Sequence, residues 1–330
     1  MTTMTANCKS VSIVLCTYNG ARYLAAQLDT LLQQTYPICE ILIQDDHSTD
    51  DTLSIACSYA ARHSFIKVLL NESTPGLNGN FLSAMRKVTG EYIAICDQDD
   101  LWHPDKIKRQ MASIGNHLLC VCRSKPFSDD GVSVAYDART PNYHPIRLLY
   151  CSIPGHTMLL HRRLLDLLPP LDYDYKTNYD VLLSLTSAAN DSVVLVDEFL
   201  VNWRRHAGAA TYVPVDERRS PSVGNGLYIL GWSLRHHRLM QPYIRSYFQR
   251  RLLLLRGIRA SSPLYDDALA IIGLEGRGGL LSRLRLCRLH VRHRHHLFYT
   301  EGGGLLNLLR AILYGTMQPY YYRFLLQSSQ

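Results

Sequence analysis

The first 110 residues read as a doubly wound α/β half, followed by a less regular second half and a basic helical extension. Three observations predict this. Short apolar, β-branched runs alternate with stretches of helical spacing, polar clusters fall just after the runs, and excess positive charge is confined to the last third. With 330 residues and 47% hydrophobic content, the chain has ample apolar surface for a large core.

Val11 to Thr17 is a buried-strand pattern that ends at the turn-prone Asn19-Gly20, and helical spacing follows at Tyr23, Leu24, Leu28, Leu31 and Leu32. A second strand, Glu40 to Gln44, runs into Asp45-Asp46-His47-Ser48-Thr49-Asp50, where Ser48 or Asp50 can cap a helix reaching about His63. A third strand is expected at Ile66 to Leu70. After the Pro75-Gly76 turn, a helix near Phe81 to Val88 leads to the strand Tyr92 to Cys96. Parallel neighbours need long return connections, so this alternation implies a parallel sheet. Ligands then bind beyond the carboxyl ends of the strands, where Thr17-Tyr18-Asn19, Asp45-Asp46 and Asp97-Gln98-Asp99-Asp100 would converge.

Residues 111–217 are expected to form strands near Leu118 to Arg123 and Val193 to Val196. Helices are expected near Leu159 to Leu168 and Asp180 to Ala189. From about residue 218, helices are expected near Tyr243 to Arg259 and Leu280 to Leu297, separated by the glycine-rich stretch Gly273 to Gly279. Gly302-Gly303-Gly304 leads into a last helix near Leu305 to Tyr314.

Residues 1–110 carry 9 basic and 12 acidic side chains, and residues 111–217 again 9 and 12, whereas residues 218–330 carry 17 and 4. Nine cysteines without a CxxC pair point to a reducing, cytosolic compartment and no zinc site. The N-terminus lacks the order of a secretory signal, and no apolar run reaches the length of a membrane span.

Three carboxylates within four residues (Asp97, Asp99 and Asp100) repel one another unless a cation neutralises them. Hard oxygen ligands favour Mg²⁺ or Mn²⁺, with a diphosphate as the obvious shared ligand. Alone, the same cluster also suits a surface turn and the N-cap of a helix starting near Pro104.

The order Ser12 to Gly20, Gln34-Thr35-Tyr36, Asp45 to Asp50, Asn80-Phe81 and Gly90 to Trp102 resembles the family 2 glycosyltransferases, densely over residues 10–110 and more thinly over 150–207. The resemblance implies a GT-A fold with a sugar-nucleotide-binding half (1–110), an acceptor half (111–217) and transfer with inversion at the anomeric carbon. Asp97-Gln98-Asp99-Asp100-Leu101-Trp102 looks most like the rhamnosyltransferase-like branch, which implies dTDP-rhamnose or a UDP-hexose as donor for bacterial surface polysaccharide.

By the same resemblance Thr17, Tyr18 and Asn19 lie on the donor side. Asp46 meets an imide N–H of the base, Asp97 approaches the ribose, and Asp99 binds Mn²⁺ or Mg²⁺. Trp203-Arg204-Arg205-His206 matches a segment in which a cation such as Arg204 steadies the diphosphate and His206 approaches the metal. His156 in Gly155-His156-Thr157-Met158, and Trp102, fall on the acceptor side. A hydrogen-bonded structural role is the competing reading for His156.

An inverting transfer needs a carboxylate near the acceptor hydroxyl, and Asn178-Tyr179-Asp180 sits where relatives carry an acid opening a helix. Asp180 is therefore the expected base, with a helix N-cap as its alternative and Asp172 and Asp174 as poorer candidates. Relatives often show His-Asp-Trp-Trp there, and this chain departs from that pattern with Tyr179 before the acid and aliphatics after it.

In the basic region Arg283, Arg285, Arg288, Arg292 and Arg294 alternate with leucines as an amphipathic helix would. The helix suits an anionic membrane surface, particularly with a lipid-linked acceptor, or packing against the catalytic part. Two other function classes fit parts of the chain. One is a non-enzymatic membrane- or nucleic-acid-binding protein using the basic region, although no nucleic-acid motif accompanies it. The other is a nucleotidyltransferase, although Cys16 to Gly20 supplies no glycine-rich triphosphate loop.

Overall fold

A computed structural model describes residues 9–129, 141–170, 178–206, 223–298 and 304–327. The chain divides into two compact units, one of residues 1–143 with 152–210 and the other of residues 144–151 with 211–330.

The first unit is built on a sheet of eight strands among the described residues. β1 (Val11–Thr17) is buried along its whole length and pairs in parallel with β2 (Glu40–Asp45) and β4 (Tyr92–Cys96). β3 (Ile66–Leu70) extends the parallel set beyond β2. β2 and β4 are likewise buried along their whole length, which is why these strands read as near-continuous apolar runs, whereas the edge strand β3 is largely exposed. The crossovers are α1 (Ala21–Leu32), α2 (Thr52–Arg62) and α3 (Leu77–Lys87). Leu24, Leu28 and Leu31 of α1 pack into one core with Ile13, Leu15, Ile41 and Ile43.

Ser48 does not cap α2. Its hydroxyl donates to Asp45, while Asp50 accepts the first-turn N–H of Thr52 at 3.1 Å. A two-residue strand that the pattern did not announce, β5 (Leu101–Trp102), follows the acidic turn and precedes α4 (Lys106–Ile114).

The rest of the sheet is mixed. β7 (Met158–His161) lies antiparallel between β4 and β6 (Leu119–Phe127), β8 (Val193–Arg204) runs parallel to β6, and β5 closes the edge against β8. Residues 159–168 are therefore not the expected helix. Met158, Leu159 and Leu160 are fully buried between two strands, and only the short α6 (Leu164–Leu167) follows. β8 extends well past the expected Val196, which carries the chain as far as Arg204 beside the acidic turn. α7 (Tyr179–Ala188) completes the unit.

The second unit comprises α5 (Pro145–Leu148), the long α8 (Val223–Arg256), α9 (Leu264–Arg277), α10 (Leu280–Arg292), α11 (Arg294–Leu297), α12 (Gly304–Tyr321) and α13 (Phe324–Gln327). The expected helix over residues 280–297 breaks at His293, and α8 starts about 20 residues earlier than its pattern suggested. α9 occupies ground read as a glycine-rich separator. Gly276 lies inside it, where a Cβ would stand 3.3 Å from Gln249, so the glycine lets α9 approach α8 closely. Among the described residues no helix is long and apolar enough to cross a membrane.

Candidate active site

The polar clusters behind β1, β2 and β4 are bonded into one framework. Thr17 Oγ1 donates to Asp45 Oδ1 at 2.6 Å, and Asp46 N donates to Thr17 O at 2.8 Å. Across the gap to β4, Gln98 accepts from Tyr18 N at 2.9 Å and donates to Tyr18 O at 3.0 Å. Gly20 makes this approach possible, because a Cβ there would lie 2.1 Å from Gln98 Oε1. Asn19 adopts φ +47° and accepts from Thr49 N at 2.8 Å, so its side chain braces the loop. The Tyr18 ring is 59% exposed and free to face a planar ligand. Asp46, half-buried, accepts from Asn71 Nδ2 at 2.7 Å and Gly76 N at 2.6 Å, and a carboxylate retains further lone pairs beyond two such bonds.

The acidic turn sorts its carboxylates by environment. Asp100 is fully buried. One oxygen accepts Arg204 N at 3.0 Å and the other has no hydrogen-bond partner, lying 3.5 Å from His156 Nδ1. The same imidazole nitrogen is 3.4 Å from Asp97 Oδ2, so His156 bridges two carboxylates. Burial drives the Asp100 carboxyl well above the ordinary carboxylate range, with His156 pulling the other way. Burial also works to lower His156, but the Asp100 and Asp97 charges outweigh it and raise the imidazole. Asp99 is raised by burial and by Asp97, against the pull of His206, whose Nε2 stands 2.8 Å from Asp99 Oδ2.

A divalent cation is the group this turn implies, and the donors fit it. Adjacent ligands of an octahedral ion bound at about 2.1 Å lie about 3 Å apart, close to the Asp99–His206 separation. Asp97, Asp100 and His156 form a second group, with ligand atoms all within 4.8 Å of one another. Spacing along the chain did not announce that group, since His156 arrives from the turn before β7, the strand that was misread as helix.

Arg204 is placed differently from the expected diphosphate-facing cation. It is 7% exposed, its Nε donates to Asp99 O at 2.8 Å, and its guanidinium also pairs with Asp129 and lies over the rings of Tyr23 and Phe127. It therefore clamps the acidic turn to β8. Trp102 departs from the expected acceptor contact because pairing of β5 with β8 turns its ring into the core. It is 3% exposed, with the buried Lys106 ammonium 3.6 Å from the ring centroid.

Asp180 lies in the first turn of α7 rather than at its N-cap, which is Asn178. Its Oδ1 accepts Val181 N at 2.7 Å. Burial is the main cause that raises its carboxyl above the ordinary value, Asp97 adds to the rise, and bonds from Val181 and Ser152 oppose it. Tyr179 anchors this turn. Its ring stacks on Phe81 with centroids 4.4 Å apart, its N donates to Asn78 at 2.9 Å, and its hydroxyl occupies the space where Gly155 lacks a side chain. Asp172 and Asp174 lie outside the described residues.

A parallel nucleotide-type half joined to a mixed half, with an acidic turn after β4, defines a GT-A fold. Comparison with known proteins bears on the family. Residues 12–165 match the model of glycosyl transferase family 2. The Escherichia coli UDP-Glc:alpha-D-GlcNAc-diphosphoundecaprenol beta-1,3-glucosyltransferase WfaP is 30% identical over 207 residues, covering 61% of this chain and 79% of WfaP. EpsE of Bacillus subtilis is 38% identical over 108 residues, 32% of this chain, and the chain spans 39% of the length of EpsE. Among solved structures, S. aureus TarS in complex with UDP-GlcNAc superposes with a TM-score of 0.55 at 17% identity, covering 94% of this chain and 89% of that one. The mannosyltransferase PcManGT of Pyrobaculum calidifontis, solved with GDP-Man and Mn²⁺, gives 0.51 at 17% identity, covering 95% and 87%. The chain belongs to the family 2 glycosyltransferases.

Proposed function

We propose that the protein transfers a hexose, with inversion, from a nucleoside-diphosphate donor to a hydroxyl of a glycan or lipid-linked acceptor in bacterial surface polysaccharide synthesis. One observation carries the reading. The acidic turn, the imidazoles of His156 and His206 and the raised carboxyl of Asp180 are assembled in one unit, around the sheet edge where ligands of such folds bind. A UDP-hexose is favoured over dTDP-rhamnose because WfaP, which carries UDP-Glc in its name, aligns with 61% of this chain. The same name, with its diphosphoundecaprenol acceptor, favours a lipid-linked acceptor and hence work at the inner face of a membrane.

In this reading residues 1–110 hold the donor and 111–217 the acceptor. Tyr18 covers the base, Thr17 and Asn19 fix the loop beside it, Asp46 accepts from the base imide, and Asp97 accepts from the ribose. Asp99 and His206 would hold Mn²⁺ or Mg²⁺, which when bound supplies positive charge for a departing diphosphate. Arg204 keeps Asp99 and Asp100 in place. Asp180 takes the proton of the attacking hydroxyl, and no covalent intermediate on the chain is required.

The test is nucleoside diphosphate release from a panel of UDP-, dTDP- and GDP-sugars, with Mn²⁺ or Mg²⁺, by wild type and Asp99→Ala. Metal-dependent release from one donor, lost by about 100-fold or more in the variant, is expected. Equal release by both, or none from any donor, would overturn the assignment.

A further inference from the structure

The helical unit carries a surface that none of its described residues covers. α10 packs on α12 through Leu286 and His290, with Leu286 Cδ2 3.4 Å from where a Cβ of Gly315 would stand and the ring centroid of His290 5.2 Å from that of Tyr314. Helical geometry puts Leu281, Leu284, Arg285, Arg288 and Arg292 on one stripe about half a turn away from these contacts. The stripe is exposed. Leu281 and Leu284 are 74% and 59% accessible, Leu280 beside them is 74% accessible, and all three arginines are exposed.

Leu280, Leu281 and Leu284, exposed together at the start of one helix, are costly in water unless something covers them. Charge indicates the occupant. All 17 basic residues of 218–330 are arginine, against four acidic residues, and the chain's seven lysines all precede this region. Among the described residues Arg285 and Arg288 have no acidic partner, and Arg292 has only Asp267 at 3.6 Å. Guanidinium groups bind phosphate oxygens bidentately, and their stems lie along apolar surface.

We propose that α10 presents a membrane-docking face, with Leu280, Leu281 and Leu284 entering the acyl boundary of an anionic bilayer and Arg285, Arg288 and Arg292 engaging lipid phosphates. This deepens the reading of a lipid-linked acceptor, and rests on it for why a transferase would dock there.

The full-length protein is sedimented, without donor, with phosphatidylcholine vesicles containing or lacking phosphatidylglycerol. Binding to the anionic vesicles alone is expected, and Leu281→Gln/Leu284→Gln and Arg285→Gln/Arg288→Gln are each expected to weaken it by about tenfold or more. Unchanged secondary structure and unchanged turnover of a soluble acceptor show that the variants fold. Equal binding by wild type and variants, or equal binding to neutral vesicles, would overturn the proposal. So would a wild-type dimer that Leu281→Gln/Leu284→Gln converts to monomer, because the face would then be a subunit interface. Vesicle binding without turnover would instead count against the transfer reading and leave the docking face standing.

Discussion

Asp180 shows what a single environment does. Because burial raises its carboxyl in the folded protein, the folded state holds that proton more tightly than the unfolded chain does. Ionised Asp180 therefore costs stability at neutral pH, a cost that disappears as pH falls through the folded and then the unfolded value. Asp180→Asn should raise the Tm at pH 7, with the gain over wild type fading in acid, while lowering kcat by about 100-fold or more. Calorimetry and a pH–rate profile check both halves. The wild-type profile should carry an acidic limb with its midpoint above the ordinary aspartate value, and the variant should lack it. The residue pattern singles out this acid because the motif precedes a helix, and family resemblance assigns Asp99 and His206, which lie 2.8 Å apart, to one metal. It was silent on Arg204 as a clamp and misleading on Trp102. Which way a side chain turns at the end of a strand depends on a partner strand, here β8, that local sequence does not specify.

At the scale of elements, Glu40 ties the start of β2 to the turn before β4. It accepts from Ser12 Oγ at 2.8 Å and Thr89 Oγ1 at 2.7 Å, and pairs with Lys67 at 3.0 Å. Burial alone would raise its carboxyl, yet these donors hold it at about 2. The sign is the reverse of that at Asp180, since the stabilisation is fully present above the unfolded value and is lost as pH falls from about 4.5 towards 2. Glu40→Gln should cost about 2–3 kcal/mol at pH 7 by chemical denaturation, and the difference from wild type should shrink through that acid window. A second element-scale prediction concerns the turn before β7. A methyl on Gly155 would lie 2.1 Å from the Tyr179 hydroxyl, so Gly155→Ala should push α7 away and lower kcat by about tenfold or more with little change in donor binding. Steady-state kinetics alongside donor titration separates the two. β1, β2 and β4 were legible in the sequence because strands buried along their whole length are nearly apolar throughout. β7 and α9 were not, because a four-residue apolar strand looks like half a helix, and glycines that admit a neighbouring helix look like punctuation.

For the molecule as a whole, residues 1–110 and 111–217 each carry net −3, whereas 218–330 carry 17 basic and 4 acidic side chains. If the basic region docks on anionic lipid, salt should act on access to the acceptor and not on chemistry. Turnover of a vesicle-embedded lipid-linked acceptor should fall steeply between about 50 and 300 mM NaCl, as the screening length shortens from above 10 Å to below. Turnover of a short-chain soluble analogue should change little. A parallel loss with both acceptors would place the salt effect in the active site instead.

The absence of lysine after residue 176 has a practical side. Amine-directed dyes, crosslinkers and immobilisation resins have their side-chain targets only between Lys9 and Lys176, and therefore in the catalytic unit. Protein coupled to a surface in this way would be tethered through that unit, with its helical unit chemically untouched. Guanidine-directed reagents such as phenylglyoxal would reach both units. Comparing the two labelling patterns would thus separate modification of the catalytic unit alone from modification of both units, without any engineered tag.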